Sequence, residues 1–143
     1  MAVKQISIFV DNTPGKLSKL TAFLAENHVD MRALSLADSA DYGIFRMLAI
    51  HSEELTSKLL EEGYLSKVNP VIAVSVDDTP GGLAKVVSIL GENLINIEYL
   101  YAFVLDSAKN ACVVIRVADN DRAEKILAEN GVKLLSEKDI ESI

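Results

Sequence analysis

The fold is decided by the stretch Asp11-Asn12-Thr13-Pro14-Gly15-Lys16-Leu17, because it returns as Asp77-Asp78-Thr79-Pro80-Gly81-Gly82-Leu83 at an offset of 66 (77 − 11). Identical residues continue at this offset beyond the stretch, namely Lys19/Lys85, Leu24/Leu90, Glu26/Glu92, Asn27/Asn93 and Leu34/Leu100. A fixed period of this kind indicates one supersecondary unit written twice. The sequence therefore predicts two domains, residues 1–69 and residues 70–143.

Hydrophobic periodicity predicts the same order of elements in each copy. Ile6, Ile8 and Val10 alternate as in a half-buried strand, and the helix after them is expected to use Thr13 as its N-cap and Pro14 as its first residue. The rest of the first copy is predicted as strands 31–36 and 44–50 joined by a polar hairpin, a helix 53–62 ended by Gly63, a strand 64–68, and a boundary at Asn69-Pro70. The second copy is predicted as strand 71–76, helix 80–94, strand 95–104, hairpin 106–110, strand 111–117, helix 120–130 ended by Gly131, strand 132–135, and a polar tail.

This order predicts the fold class. Each copy reads β-α-β-β-α-β, which is the ferredoxin-like motif, so we expect an α+β protein of two such units in tandem. Each unit should have a four-stranded antiparallel sheet with both helices on one face. Units of about seventy residues are marginally stable alone. We therefore expect the units to pack together and the chain to form a homodimer.

Composition argues against several classes of function. The net charge is −7, and no cluster of lysine or arginine is available to neutralise nucleic-acid phosphates or an anionic membrane surface. No apolar run approaches the roughly 18–20 residues of a membrane span. The chain begins directly with a strand pattern rather than a signal peptide, and its one cysteine, Cys112, excludes an intramolecular disulfide framework. We expect a cytoplasmic protein that binds neither nucleic acid nor membrane.

No pattern in the sequence indicates catalysis. His28 and His51 do not have metal-ligand spacing, and no nucleophile motif is present, so we expect no catalytic residue, no metal and no cofactor. Cys112 lies in an apolar strand and should pack as a small apolar residue. Arg116 is expected in a structural ion pair rather than in contact with a ligand.

The repeated turn has the chemistry of a small-molecule site. The amides of Gly15, Lys16 and Leu17 should be left unsatisfied by the helix, and with the positive end of the helix dipole they suit a carboxylate. Acidic and amide side chains, Asp11 and Asn12, stand beside them and suit an ammonium group. The combination describes a receptor for a free α-amino acid, with glycine leaving room for the ligand to approach. The alternative is that the stretch is only a well-formed helix start.

At this point the residues resemble a known family. Asn12-Thr13-Pro14-Gly15-x-Leu17 followed by Val29-Asp30-Met31, and Asp78-Thr79-Pro80-Gly81-x-Leu83 followed by Ile95-Asn96-Ile97, look like a tandem pair of ACT domains. The resemblance implies a regulatory module of amino-acid metabolism that binds an amino acid at interfaces between ACT units. It adds Asp30 and Asn96, at the entry to the second strand, to the predicted site. Asp78 and Asp30 stand where the family usually has Asn, so the two sites are expected to be unequal.

The predicted ligand-binding residues are Asp11, Asn12, Thr13, Pro14, Gly15, Lys16 and Leu17 in the first turn and Asp77, Asp78, Thr79, Pro80, Gly81, Gly82 and Leu83 in the second, with Asp30 and Asn96 added by the resemblance alone. The leading hypothesis is a non-catalytic regulatory protein that binds a free amino acid and modulates a partner enzyme of amino-acid metabolism. Two alternatives stay open. One is a structural pairing module without a ligand, and the other is a small ferredoxin-like enzyme acting on an anionic substrate. The enzyme would need a positioned arginine or an acid–base pair in the turn, and neither copy supplies one.

Overall fold

The computed structural model describes residues 2–39, 41–50, 54–104 and 109–143. The expectations for His51, for the start of the helix at Glu53 and for the hairpin residues 106–108 therefore lie outside the described residues.

The chain divides into two compact units. The first unit is Gln5–Asn69, and the second unit is Pro70–Ile143 together with Met1–Lys4.

The first unit has an antiparallel sheet covered by two helices. Its middle strand, β3, pairs with β1 on one side and with β2 on the other. The amide of Phe9 in β1 also donates to the carbonyl of Leu65, at 2.9 Å. The elements are β1 Val3–Asp11, α1 Lys16–Glu26, β2 Asp30–Asp38, β3 Tyr42–Ile50 and α2 Leu55–Glu61. The first two residues of β1, 3–4, belong to the second unit.

The second unit repeats this arrangement. Its antiparallel strands lie in the order β7, β4, β6, β5. The first four residues of β4, 66–69, belong to the first unit. The elements are β4 Ser66–Asp77, α3 Gly82–Glu92, β5 Tyr99–Val104, β6 Asn110–Arg116, α4 Asn120–Glu129, β7 Lys133–Leu135 and α5 Glu137–Glu141.

Each unit buries one face of its sheet under its two longest helices. In the first unit, alternate residues of β1 pack against Leu20 and Leu24 of α1 and Leu55 and Leu59 of α2. In the second unit, alternate residues of β4 pack against Val86, Leu90, Ala123 and Leu127 of α3 and α4. Because residues two apart on a strand share a face, both helices of each unit lie on one side of its sheet. The predicted fold class is confirmed.

The repeat also extends to fine details of the backbone. The side-chain amide of Asn27 donates to the carbonyl of Phe23 at 2.9 Å, and that of Asn93 donates to Ile89 at 2.8 Å. The residues that follow, His28 and Leu94, take left-handed conformations with φ of 54° and 57°. The helix ends were therefore duplicated with the rest of the unit.

One predicted boundary is absent from the secondary structure. The predicted strands 64–68 and 71–76 form a single strand, β4, which passes through Asn69 and Pro70 without a break. The fixed φ of proline is compatible with an extended strand. The carbonyl of Pro70 accepts hydrogen bonds from Arg116 and from Asn120, at 2.7 and 3.2 Å.

Two other elements differ from the prediction. Strand β5 begins at Tyr99 rather than at residue 95, because β6 ends at Arg116, which pairs with Tyr99. The expected polar tail contains α5, which begins with a capping box in which Ser136 and Asp139 each bond the backbone amide of the other. The pattern Ser-x-x-Asp is the signal that predicts such a start.

Candidate ligand-binding site

The repeated stretch forms a tight turn before each helix. The amide of Lys16 donates to the carbonyl of Thr13 at 3.3 Å, and the amide of Gly82 donates to that of Thr79 at 3.0 Å. Gly15 has φ 85° and ψ −13°, and Gly81 has φ 91° and ψ −8°. Proline at the second position of a four-residue turn followed by glycine with positive φ defines a type II turn. Both copies therefore use Pro-Gly in the same way.

The turn corrects three expectations. Thr13 is not the N-cap and Pro14 is not the first helical residue, since α1 begins at Lys16 with Gly15 as its cap and no side-chain cap bond. The reason is that a type II turn uses the threonine carbonyl, not its hydroxyl. The amide of Lys16 is bonded within the turn, so it is not available to a ligand as expected.

Some helix amides nevertheless remain available in the second unit. Among the described residues, no acceptor bonds the amides of Leu83 and Ala84 at the start of α3. A Cβ built on Gly15 or Gly81 would meet no atom within 4 Å. The space over the turn is therefore open, as the ligand hypothesis requires. The positive φ shows that glycine is also needed for the turn itself, which corrects the expectation that it only leaves room.

The second turn forms one wall of a groove of about 430 Å³. This volume lies within the range of roughly 300–1,000 Å³ that is typical of small-molecule sites. Residues of the segment that leads from α4 into β7 also line it. The lining residues include Ser75, Val76, Asp77, Thr79, Pro80, Gly81, Gly82, Lys85, Asn110, Gly131 and Lys133.

The floor of the groove is built by neighbouring strands. Asp77, at the end of β4, pairs with Asn110, at the start of β6. The side-chain amide of Asn110 donates to the hydroxyl of Ser75 at 3.0 Å. The next residue after the strand, Asp78, is held by its backbone amide, which donates to the carbonyl of Lys109 at 2.8 Å. Asp77 therefore lies next to a polar floor formed by the hydrogen-bonded pair Ser75 and Asn110.

Two lysines line the groove. Lys85 lies one turn into α3, where its amide donates to the carbonyl of Gly81 at 3.1 Å. Lys133, in β7, pairs with Ser75. Within the described part of the chain, neither lysine has a carboxylate oxygen within 4.0 Å. Hydrogen bonds with Ser136 hold the pKa of the Asp139 carboxyl below its usual range, and the positive charge of Lys133 lowers it further.

Predicted site residues divide between the groove and other places. In the second unit Asp77, Thr79, Pro80, Gly81 and Gly82 line the groove, whereas Asp78, Leu83 and Asn96 do not. In the first unit the predicted residues from Asp11 to Leu17 are exposed. The carboxylate of Asp30 is 3.1 Å from the guanidinium of Arg32, so it is engaged in an ion pair.

The equivalent surface of the first unit has a different character. At the repeat offset Phe9 replaces Ser75, and at the same strand positions Tyr42 replaces Asn110 and Leu65 replaces Lys133. The rings of Phe9 and Tyr42 lie 5.9 Å apart. The polar floor and one of the two cations of the second unit are therefore replaced by apolar side chains.

Sequence reasoning missed the four groove residues with polar or charged side chains outside the turn, Ser75, Lys85, Asn110 and Lys133. Lys85 had a usable signal, because it is identical to Lys19 across the repeat. The other three come together only through strand register. The described helices include none long and apolar enough to cross a membrane. The described His, Cys, Asp and Glu side chains form no group of three or more that could hold a metal.

Comparison with known proteins identifies the family. A family model described as an ACT domain pair matches residues 1–143, and the chain belongs to that family. The resemblance seen in the repeated turn is thus confirmed. A search of curated proteins finds no match.

Solved structures show the same fold. The protein BT0572 from Bacteroides thetaiotaomicron is 33% identical, with a TM-score of 0.91 over 100% of this chain and 98% of that one. The regulatory subunit of aspartate kinase from Thermus thermophilus is 19% identical, with a TM-score of 0.60 over 88% of this chain and 91% of that one. The corresponding subunit from Thermus flavus is 21% identical, with a TM-score of 0.56 over 88% and 90%.

Proposed function

We propose that this chain is a non-catalytic regulatory protein that binds a free amino acid in the groove of its second unit. On binding, it modulates a partner enzyme of amino-acid metabolism. The observation that carries the proposal is the groove beside the second turn, which is lined by Asp77, by Gly81 and Gly82 at the start of α3, and by Lys85 and Lys133.

The groups in the groove complement the two charges of an amino acid. The positive end of α3, where Gly81 and Gly82 line the groove, suits the α-carboxylate. The carboxylate of Asp77 suits the α-ammonium group. The similarity to structures of regulatory subunits supports a regulatory role, and we propose that the active form is a homodimer.

The test is a calorimetric titration of the purified protein with each of the twenty amino acids. We expect at least one to bind, and we expect Asp77→Asn to weaken its affinity about ten- to hundredfold, because a hydrogen bond to a charged group contributes about 1.5–3 kcal/mol. Asp11→Asn, the same change at the equivalent position of the first turn, is the control and should leave the affinity of this groove unchanged. No binding by any amino acid would refute the proposal.

A pairing role is the second candidate for the first unit. Phe9, Tyr42 and Leu65 are exposed by 39, 43 and 67% where the second unit has its polar groove residues. Exposed apolar surface of this kind is typical of protein contacts. Pairing without any ligand would be favoured if the titrations showed no binding while the protein remained dimeric.

A further inference from the structure

Strand β5 forms one edge of the sheet of the second unit and carries no charged residue. Among the described strands, β5 pairs only with β6. Its sequence is Tyr99-Leu100-Tyr101-Ala102-Phe103-Val104, and Leu100 and Val104 are exposed by 36 and 68%. Natural proteins usually protect an edge of this kind with charged residues, proline or a bulge. The described residues of β5 include none of these protections, which indicates an edge that pairs with another strand.

The helix beside this edge adds apolar side chains. Helix α4 contacts β7 at the far side of the sheet, so α3 lies between α4 and the β5 edge. Lys85 of α3 lines the groove together with Gly131, which follows α4, so the flank of α3 with Lys85 faces α4. Leu83 and Val87 are each two residues from Lys85 and therefore lie on the opposite flank. Their side chains are exposed by 41 and 37%.

The exposed residues of β5 lie on the same face of the sheet as this helix. Leu100 pairs with Ile115 and Ala102 pairs with Val113, and both partners belong to the core beneath the helices. Val104, two residues beyond Ala102, shares this face. Together with the exposed side chains of α3, these residues form one apolar surface along the edge of the unit.

The order of residues in β5 is symmetric about Ala102. Two aromatic residues, Tyr101 and Phe103, flank it, and two aliphatic residues, Leu100 and Val104, follow on either side. If two copies of β5 pair antiparallel with Ala102 opposite Ala102, Leu100 faces Val104 of the other copy and Tyr101 faces Phe103. Each contact then occurs twice, as in an interface with twofold symmetry. Aromatic residues directly opposite each other stabilise antiparallel strands, so β5 is complementary to itself.

The equivalent strand of the first unit lacks this symmetry. At the repeat offset, β2 has Leu36 in place of Ala102 and Asp38 in place of Val104, and neither aromatic residue is kept. The self-complementary order is thus particular to the second unit. A contact made by β2 would need a different register.

Charge also favours a second copy at this surface. The net charge of the chain is −7, so two copies repel each other as a whole. Residues 99–104 are uncharged, and Leu83 and Val87 extend the uncharged surface onto α3. Two copies can therefore meet along β5 without burying an unpaired charge in the paired strands.

We infer that two copies of the chain associate through β5 of their second units, paired antiparallel about a twofold axis at Ala102. The pairing joins two four-stranded sheets into one sheet of eight strands, with both α3 helices on the same face. The inference rests on the homodimer of the proposed function and names its interface, and it does not depend on amino-acid binding. It predicts that residue 102 lies opposite its own counterpart, with Cβ atoms about 4.5–5.5 Å apart.

Cysteine cross-linking of the full chain tests the register. The variants are made in a Cys112→Ala background, which removes the native thiol. Ala102→Cys should form a disulfide-linked dimer under mild oxidation, because the two cysteines face each other. A mixture of Leu100→Cys and Val104→Cys should cross-link for the same reason.

Val104→Cys alone is the matched control, since it lies on the same strand and the same face and is exposed. Its counterpart in the other copy is four residues away along the strands, which is about 13 Å. Cysteines whose Cα atoms are more than about 7 Å apart cannot be bridged without backbone movement. Val104→Cys alone should therefore stay uncross-linked under the same oxidation.

Sedimentation velocity tests the strength of the contact. Ala102→Glu places like charges opposite each other and should raise the dissociation constant of the dimer at least tenfold. Ala128→Glu, the same change at an exposed alanine of α4, should leave it unchanged. Thermal unfolding of each variant confirms that the fold is intact.

The outcomes separate the interface from the homodimer itself. A wild-type dimer without a cross-link in Ala102→Cys, or with an equal cross-link in Val104→Cys alone, would overturn the inference and leave the proposed homodimer in place. An unchanged dissociation constant in Ala102→Glu would overturn it as well. A wild-type monomer at micromolar concentration would overturn both, and amino-acid binding would still be decided separately by calorimetry.

Discussion

Gly15 and Gly81 hold the same left-handed backbone conformation, with φ of 85° and 91°, at the same point of the two units. Each follows a proline and precedes a helix. A Cβ added to either glycine would have no atom within 4 Å. The glycines are thus required by the backbone of the turn and not by crowding. Their role in stability can be separated from any role in binding.

The first prediction concerns these two glycines. Gly15→Ala and Gly81→Ala should each lower the free energy of unfolding by about 1–2 kcal/mol, the cost of a left-handed conformation for an L-residue. Gly81→Val should cost more, because a β-branched residue is a stronger outlier at positive φ. Urea unfolding measures all three. Equal stability of Gly81→Val and the wild type would show that the turn can be rebuilt without positive φ.

The second prediction uses two glycines within α3. A Cβ on Gly82 would overlap the carbonyl oxygen of Asp77, whereas a Cβ on Gly91 would meet nothing within 4 Å. Gly82→Ala should therefore destabilise by about 1–3 kcal/mol, as overpacking does. Gly91→Ala should stabilise by about 0.5–1 kcal/mol through helix propensity. Similar effects at both positions would contradict the close approach of Asp77 to Gly82.

The fold was largely predictable because its signals are local or repeated. The alternation of Ile6, Ile8 and Val10 and the repeat offset each indicate structure without tertiary information. The start of α1 was missed because two local rules compete at Thr13-Pro14-Gly15. The N-cap rule and the type II turn use the same residue types, and the turn is the one adopted.

The candidate site was only half predictable. Asp77 and Gly81 lie in the repeated turn, so the sequence marks them directly. Ser75, Asn110 and Lys133 meet only because β4 pairs with β6 on one side and with β7 on the other. Register of this kind depends on the whole sheet. No local pattern assigns Lys133 to the groove.

The third prediction concerns Arg116, whose expected structural ion pair is present. Its guanidinium is 3.3 Å from the carboxylate of Glu98 and also donates to the carbonyl of Pro70, at 2.7 Å. Arg116→Gln should lower the free energy of unfolding by about 1–2 kcal/mol, since it removes a charged donor from the carbonyl. Glu98→Gln should cost about 0.5 kcal/mol or less, as for an exposed pair. Neither should change amino-acid affinity, and a loss of affinity in Arg116→Gln would show that the arginine also serves the ligand.

The fourth prediction concerns self-association. Strand β2 is an edge strand within the first unit, where it pairs with β3. Two residues of β2, Leu34 and Leu36, are exposed by 52 and 50%. An edge strand with apolar side chains favours contact with another chain. We expect a homodimer or larger assembly by light scattering, and a shift toward monomer in Leu34→Lys. A monomer at micromolar concentration in the wild type would contradict this expectation.

The fifth prediction concerns Cys112. The residue is buried in β6, and burial raises the pKa of its thiol to about 12. In the unfolded chain a cysteine thiol ionises near pH 8.5. Above that pH the unfolded state loses its proton while the folded state keeps it, so folding stability falls as pH rises toward 12. The contribution of the Cys112 thiol to the free energy of unfolding is fully present below about pH 8. Above that pH it falls by at most about 1.4 kcal/mol per pH unit.

Cys112→Ala tests the alkaline dependence. Urea unfolding at pH 7, 8.5 and 10 should show a steeper loss of stability in the wild type than in the variant. The phenol of Tyr64 also has a raised pKa, chiefly through burial and further through Glu62, and its effect is common to both proteins. A thiol reagent should label the folded protein far more slowly than the unfolded one at pH 8. Equal pH slopes, or rapid labelling of the folded protein, would show that Cys112 is accessible as a thiolate and does not behave as a packed apolar residue.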